Sequence, residues 1–400
     1  MAQHEPWRIE RHQTFLQKNR PGTVAVAVPV RDEEDRLEAC LDALDRQVCG
    51  RADHIVVLLN NCTDRSAEIA RGMRSRLNST LHVIEMLLPP ERANAGHARR
   101  LAMNQAARRA GAAGVILTTD ADGRVDPEWV GANLAALHAG ADAVAGWVEL
   151  DPQDWGAIPM ALHEADALEC GYDSACDALH AGLDPDPDDP WPRHTQASGA
   201  SLAVTVAAYR AAGGLPAVPC GEDRAFVTAL RQIDARVRHA PECRVVVSGR
   251  LAGRAVGGMA DTIRRRLVTP DRFLDDRLEP ARACAFRAAL RHLARDVYRR
   301  GRGLEGLQRA SGLDGAVLSG LLERPHFGTA WAAIEATSPR LRRERVLASD
   351  VTRQQKVADE LLARVRQNAQ ACRAETIEYC QDGGTVLGMV GCQSASHPTA

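Results

Sequence analysis

The chain has 400 residues, of which 45% are hydrophobic and 26% are charged, and its formal net charge at pH 7 is −2. This composition is typical of a globular protein with more than one domain, and it argues against a dedicated nucleic-acid binder, which would carry a basic excess. The eleven cysteines contain no Cys-X-X-Cys pair, no apolar run has the length of a membrane span, and residues 1–21 lack the apolar core of a signal peptide. We therefore expect a reduced, cytoplasmic protein without a transmembrane segment.

The first 150 residues alternate between apolar, β-branched runs and segments with helical spacing of apolar residues. The runs predict strands at residues 23–30, 54–59, 81–88, 115–119 and 141–150. The segments between them predict helices that begin near residues 37, 67, 95 and 126. Strands that alternate with helices in this way indicate an α/β fold, with a mostly parallel sheet and helices on both faces.

The second part of the chain begins with a predicted helix at residues 155–180, which carries His163, Glu164, Asp166 and Glu169. These four side chains can bind a second metal or an acceptor, or they can form a solvated face. Further on, the sequence predicts a strand after residue 200, a helix that begins at Glu222, and short strands at residues 237–239 and 244–248. From residue 261 to residue 368 it predicts several helices. The apolar stripe and arginines of residues 281–300 fit either packing against the first domain or contact with an anionic membrane surface.

Polar residues follow the first, second and fourth predicted strands, at residues 29–34 (PVRDEE), 60–64 (NNCTD) and 119–123 (TDADG). In parallel α/β sheets, ligands bind beyond the carboxyl ends of the strands, so these segments predict a pocket rather than ordinary loops. If the fourth strand persists to its tip, Asp120 and Asp122 point the same way, and their oxygens suit Mg²⁺ or Mn²⁺. The alternative is that these two aspartates only form a turn.

Two further features lie in the second half of the predicted sheet. Glu222 and Asp223 stand at a helix N-terminus, where the helix dipole stabilises carboxylates. The basic, glycine-rich residues 249–258 (GRLAGRAVGG) can fold over phosphates or act as a linker.

Four of these features resemble, in this order, the GT-A glycosyltransferases of family 2 over about residues 23–247: the segments at 29–34, 60–64 and 119–123, and Gly221-Glu222-Asp223. The resemblance implies a Rossmann-like GT-A domain at residues 22–260, with a nucleotide-sugar half at 22–150 and an acceptor half at 151–260. A lead-in at 1–21, a C-terminal helical region at 261–380 and a tail at 381–400 complete the expected organisation.

The resemblance also implies roles for individual residues. Asp223 matches the catalytic base, Asp122 the metal ligand, and His239 is the nearest candidate for a further metal ligand, with Arg254 as an alternative that neutralises the diphosphate. Asn60 stands where the family usually has an aspartate that contacts the base. The residues expected to bind the nucleotide sugar are Pro29, Arg31, Glu33, Asn60, Asp120, Ala121, Asp122 and Glu222.

The implied activity is that of a metal-dependent inverting glycosyltransferase, which moves a hexose from a nucleotide diphosphate sugar to an acceptor hydroxyl with Mg²⁺ or Mn²⁺. Two alternatives stay open, namely a sugar-nucleotide pyrophosphorylase and a non-catalytic nucleotide-sugar-binding scaffold. A dinucleotide-dependent oxidoreductase is disfavoured because no Gly-X-Gly-X-X-Gly follows the first strand. The acceptor can be a glycan, a lipid carrier or a small metabolite, and peripheral membrane contact stays possible.

Overall fold

A computed structural model describes residues 22–251, 253 and 257–367. The described residues divide into two compact units, the first within residues 22–162 and 192–270 and the second within residues 163–191 and 271–367. Residues 163–191, which lie inside the expected acceptor half, thus belong to the second unit. The expected lead-in at 1–21 and tail at 381–400 lie outside the described residues, as does Arg254.

The described strands form one eight-stranded sheet in the order β3-β2-β1-β4-β7-β6-β8-β5. The strands are β1 Val24–Val30, β2 His54–Asn60, β3 Thr80–Met86, β4 Val115–Thr118, β5 Arg124–Val125, β6 Ala143–Leu150, β7 Leu202–Thr205 and β8 Val237–Val247. Strands β1 to β4 pair in parallel, and so do β6 and β8, whereas β7 runs antiparallel to both of its neighbours. The expected mostly parallel sheet is therefore a mixed one.

Helices connect these strands in the first unit and make up most of the second. They are α1 Leu37–Asp45, α2 Ser66–Gly72, α3 Ala95–Ala110, α4 Trp129–His138, α5 Met160–Leu183, α6 Val206–Ala211, α7 Glu222–Gln232, α8 Met259–Val268, α9 Ala281–Arg300, α10 Leu304–Ser311, α11 Gly315–Leu322, α12 Phe327–Thr337 and α13 Val351–Gln367. Short 3₁₀ helices occupy Met73–Ser75, Pro90–Arg92, Pro152–Ala157, Pro339–Leu341 and Ala348–Asp350. None of the described helices is long and apolar enough to cross a membrane.

The sheet separates two hydrophobic cores because side chains along a strand point alternately to its two faces. On β1, Val24, Val26 and Val28 pack with α1, α2 and α4, whereas Ala25 and Ala27 pack with α3, α6 and α7. Small alanines suit the second face, where α3 also presents a row of buried alanines to the sheet. Both faces of the sheet are therefore covered, and the predicted α/β class is confirmed.

The second unit is a helical assembly around α9. The apolar stripe of α9 is buried against α10, α12 and α13, so the stripe is part of this unit's core rather than a face for a membrane surface. Within the same unit, the buried guanidinium of Arg287 binds the buried carboxylate of Glu279, with Nε–Oε1 at 2.6 Å. The C-terminal helical region expected from the sequence is thus observed.

Candidate active site

The two aspartates of the Asp-X-Asp segment lie on a turn, not on a strand. Strand β4 ends at Thr118, and the amide of Gly123 donates to the carbonyl of Asp120 at 3.0 Å, which closes the turn. The strand therefore does not persist to residue 122, which was the condition for a shared direction of Asp120 and Asp122, and the turn that the sequence left as the alternative is observed. The side chain of Ala121, between them, is buried in the hydrophobic core. The thiol of Cys40 on α1 donates to the carbonyl of Asp120 at 3.4 Å and so stabilises the turn.

Arg99 on α3 connects the Asp-X-Asp turn to the start of α7. Its guanidinium donates to the carboxylate of Asp120 and, through Nε at 3.0 Å, to Oε1 of Glu222. The same group donates to Thr118 Oγ1 at 3.0 Å and to the carbonyl of Gly199 at 2.7 Å. A Cβ at residue 199 would lie 2.4 Å from Cζ of Arg99, so any larger residue there would displace this guanidinium.

Electrostatics keep Arg99 charged although its side chain is only 5% exposed. Burial alone would lower the pKa of Arg99, and the charges of Asp120 and Glu222 reverse this, so that its pKa is raised. The predicted site residue Glu222 is thus a buried partner of Arg99. Sequence reasoning missed Arg99, although an arginine on the buried, alanine-rich face of a predicted helix was a signal for an internal ion pair.

Arg250, three residues after β8, connects Asp122 to the end of β1. Its Nη1 donates to Oε2 of Glu33 at 2.6 Å, its Nη2 contacts Oε1 of the same carboxylate, and Nη2 lies 3.5 Å from Oδ2 of Asp122. Hydrogen bonding to Glu33 raises the pKa of Arg250 in spite of its partial burial. Arg250 lies in the basic segment 249–258, for which the sequence leaves phosphate contact and a linker open without distinguishing this residue.

Among the carboxyl groups of this site, that of Asp122 has the pKa that departs most from its ordinary value. Burial raises its pKa to about 7, the negative charge of Asp120 adds to the rise, and the charge of Arg250 opposes it. Glu33, Asp120, Asp122 and Glu222 place four carboxylates against the two guanidiniums of Arg99 and Arg250. The network therefore has two negative charges in excess when all its members are ionised, which is the charge that one divalent cation would balance.

The segment after β1 positions Glu33 through its backbone. The amide of Glu33 donates to Ser66 Oγ at 2.8 Å, and its carbonyl accepts from Leu37 at the start of α1 at 2.9 Å. Of the other residues predicted for nucleotide binding here, Pro29 is half-buried within β1, and Arg31 donates to the carbonyl of Ala93 at 2.6 Å. Of Pro29, Arg31 and Glu33, only Glu33 contacts Arg250 in the part of the chain that the structure describes.

Asn60 ends β2 and is 2% exposed. Its Oδ1 accepts no hydrogen bond from any group in the described part of the chain. Because a buried carbonyl oxygen without a donor costs free energy, Asn60 offers an acceptor to a ligand that carries an N–H group. The neighbouring Asn61 is different, since its side chain is used to hold the backbone of Leu88 through two hydrogen bonds of 2.9 Å.

Asp223 lies in the first turn of α7, next to Glu222. Its Oδ2 accepts from the amide of Gly199 at 2.9 Å, and its Oδ1 accepts from the amide of Arg224 at 2.7 Å. Gly199 also contacts Arg99, so the carboxylate of Asp223 is fixed to the same loop that binds the Asp-X-Asp network. A carboxylate fixed in this way can accept a proton from a hydroxyl group beside it.

His239 lies within β8 and is 1% exposed. Its Nε2 is 3.4 Å from Nη2 of Arg231, and its ring stacks edge-on with His194 at 5.6 Å between centroids. Among the described residues, His239 does not join Asp120 and Asp122 in a group whose ligand atoms lie within 4.8 Å of one another. Its role as a metal ligand stays a prediction.

The donor set of this site is of the type that binds a divalent cation. Glu33, Asp120 and Asp122 supply carboxylate oxygens, the ligands that Mg²⁺ and Mn²⁺ prefer, and the network lacks two positive charges. In the described part of the chain, a different group of residues has its possible ligand atoms within 4.8 Å of one another, namely Asp32, Cys62 and Asp64. In that group the carboxylate of Asp32 already accepts from the amide of Thr63 at 2.6 Å.

The possible second site on α5 belongs to the second unit. Oε1 of Glu169 accepts a hydrogen bond of 2.5 Å from the amide of Asp275, so this carboxylate supports the fold of the loop before α9. His163, Glu164 and Asp166 do not form a compact ligand group with it in the described part of the chain.

Comparison with known proteins gives several solved structures and one family. A mannosyltransferase from Pyrobaculum calidifontis, in complex with GDP-Man and Mn²⁺, has 16% identity and a TM-score of 0.41, with 94% of this chain and 89% of that chain covered. TarS residues 1–349 from S. aureus, in complex with UDP-GlcNAc, has 14% identity and a TM-score of 0.43, with 87% and 92% covered. Glucosyl-3-phosphoglycerate synthase from Mycobacterium tuberculosis, with Mg²⁺ and UDP, has 17% identity and a TM-score of 0.36, with 66% and 85% covered.

No curated protein matches this sequence. Residues 25–182 match the family described as Glycosyl transferase family 2. The match covers β1 to α5 and includes the ends of β1, β2 and β4. Over these residues, the match confirms the resemblance that the strand-end residues predicted.

Proposed function

Because residues 25–182 match glycosyl transferase family 2, we propose that this protein is a metal-dependent inverting glycosyltransferase that uses a nucleotide diphosphate sugar. The transferred group is a hexose, and the acceptor is a hydroxyl group of a glycan, lipid carrier or small metabolite. The observation that carries the proposal is the position of Arg99, which binds Asp120 and Glu222 and so brings Asp223 to the Asp-X-Asp turn.

The donor is proposed to bind along the ends of β1, β2 and β4. Asn60 would accept a hydrogen bond from the base through its buried Oδ1. Asp122, with Asp120 and Glu33 beside it, would hold Mg²⁺ or Mn²⁺, which as a Lewis acid stabilises the leaving diphosphate. The excess of two carboxylates over guanidiniums in this network supports that assignment.

Asp223 is proposed as the general base. Its carboxylate takes the proton of the acceptor hydroxyl as the acceptor oxygen forms a bond to the anomeric carbon and the bond from that carbon to the diphosphate oxygen breaks. Attack opposite the leaving group inverts the anomeric carbon, and no covalent intermediate is needed. The amide of Gly199 keeps the carboxylate in place without providing a proton to the reaction.

Asp223→Asn tests this role. The amide keeps the shape of the side chain and can still accept from Gly199, so donor binding should be unchanged, while transfer falls by about 100- to 10,000-fold. Turnover is followed as release of nucleoside diphosphate, with acceptors screened from glycans, lipid carriers and small metabolites, and binding is followed by thermal shift. Asp314→Asn is the matched control, because Asp314 accepts a similar backbone hydrogen bond at the start of α11 in the second unit. Near-wild-type turnover of Asp223→Asn would remove Asp223 from this role.

The cytoplasmic location stays a prediction from the cysteine pattern. It is consistent with the cysteines that the structure describes, which are all free.

A further inference from the structure

One guanidinium lies between two carboxylates that the proposed donor site needs. Arg250 binds both oxygens of Glu33, and its Nη2 is 3.5 Å from Asp122. The three side chains are 23%, 7% and 18% exposed, respectively, so the contacts are largely shielded from water. In such a place the attraction between opposite charges is several times stronger than at the surface.

The backbone before Arg250 is held by a second carboxylate. Oδ2 of Asp154 accepts from the amide of Gly249 at 2.8 Å and from Ser248 Oγ at 3.3 Å. The guanidinium of Arg36 contacts the same carboxylate at 3.3 Å. Arg250 is therefore directed toward Glu33 and Asp122 by a supported turn, and its long side chain is the part that can change partner.

A divalent cation and the guanidinium of Arg250 would compete for Oδ2 of Asp122. A metal bound to a carboxylate oxygen lies about 2.0–2.6 Å from it. An ion on the side of Oδ2 that faces Arg250 would stand within a few ångströms of Nη2, and like charges so close repel strongly in a partly buried site. Binding of the ion on that side would therefore favour release of Arg250 from Asp122. A released arginine beside a diphosphate finds two oxygens that match its planar fork of donors.

We propose that Arg250 competes with the divalent cation for Asp122 and, once displaced, binds the diphosphate of the donor. The inference rests on the proposed function, because it takes the metal and the nucleotide to bind at this site. It makes one residue responsible for two opposite effects. Arg250 weakens metal binding in the absence of nucleotide and strengthens nucleotide binding in the presence of metal.

The test is a pair of titrations on the full chain. Mn²⁺ binding without nucleotide is measured by electron paramagnetic resonance, and binding of UDP, GDP and dTDP at saturating Mn²⁺ is measured by calorimetry. Arg250→Gln should bind Mn²⁺ about tenfold more tightly than wild type, since a nearby positive charge is removed. The same variant should bind the nucleoside diphosphate about tenfold more weakly, since a charge-assisted hydrogen-bonded pair is lost.

Arg244→Gln is the matched control, because Arg244 lies at the surface of β8 and pairs with the exposed carboxylate of Glu149 at 3.4 Å. Its affinity for Mn²⁺ and its affinity for the nucleoside diphosphate should both equal those of wild type. Arg250→Lys is a second variant for the case that Arg250→Gln does not fold. It keeps the charge and loses the fork, so its Mn²⁺ affinity should stay within about threefold of wild type while nucleotide binding weakens.

The outcomes separate this inference from the proposed function. Equal or weaker Mn²⁺ binding by Arg250→Gln overturns the competition, and a loss of both affinities assigns Arg250 a structural role instead. Wild type that binds none of UDP, GDP and dTDP at saturating Mn²⁺ contradicts the proposed donor site itself. Tighter Mn²⁺ binding together with weaker nucleotide binding supports both halves of the inference.

Discussion

Arg99→Met removes the residue that connects the Asp-X-Asp turn to α7. The change deletes hydrogen bonds to Glu222, Asp120, Thr118 and Gly199, and it leaves the carboxylate of Glu222, which is 7% exposed, without its cation. Breaking a buried ion pair from one side typically costs about 3–5 kcal/mol. We expect a loss of about 4 kcal/mol in the free energy of unfolding, since Asp120 is partly exposed and can be solvated.

The assay is urea unfolding followed by circular dichroism. Arg108→Met is the matched control, because Arg108 is an exposed residue of the same helix, and its free energy of unfolding should lie within about 0.5 kcal/mol of wild type. Adding Glu222→Gln to Arg99→Met removes the unpaired charge and should restore about half of the loss. If the free energy of unfolding of the single variant Arg99→Met lies within about 1 kcal/mol of that of wild type, the contacts of Arg99 are not the feature that organises this site.

The other predictions concern the pKa of Asp122 and the packing at the start of α3. The pKa of Asp122 is raised from 3.8 to about 7, so the folded protein binds more protons than the unfolded chain in that range, and its stability falls as the pH rises from about 4 to about 7. Asp122→Asn should therefore raise the melting temperature of the metal-free protein at pH 8 and change it little at pH 4; equal differences at both values would contradict this. Gly96→Ala should destabilise the protein by about 1–3 kcal/mol, because a Cβ at residue 96 would lie 1.9 Å from the carbonyl of Val218. Gly72→Ala, with no atom within 4 Å of the added group, is its control in thermal unfolding, and equal behaviour of the two variants would contradict the packing.

Local patterns in the sequence predicted the elements that depend on local interactions. Helix α3 begins and ends at Ala95 and Ala110 as expected, because Asn94 caps its N-terminus and Gly111 ends it. The direction of β7 could not be predicted, since an apolar run of four residues has the same pattern in parallel and antiparallel pairing. The expected strands at 237–239 and 244–248 are one strand, β8, which has a register shift opposite Gly146 and Trp147.

The site shows the same division between local and long-range information. Glu33, Asp120 and Asp122 were identified because they follow predicted strands, which is a local signal. Arg250 was not singled out, because its partner Glu33 is 217 residues away and nothing in the basic segment distinguishes one arginine from another. For Asp120 and Asp122 the sequence leaves a strand tip and a turn open, and the hydrogen bond from Gly123 to Asp120 shows that they form the turn.

The measurement that tests the central claim most directly is a thermal-shift panel of UDP-, GDP- and dTDP-sugars, each with and without Mn²⁺, on wild type and Asp122→Ala. A ligand that binds only the folded protein raises its melting temperature. The proposed donor site predicts that one nucleotide series stabilises wild type only with Mn²⁺ and that Asp122→Ala abolishes the effect. No response to any sugar nucleotide, or an equal response of Asp122→Ala, would contradict a metal-dependent donor site at Asp122.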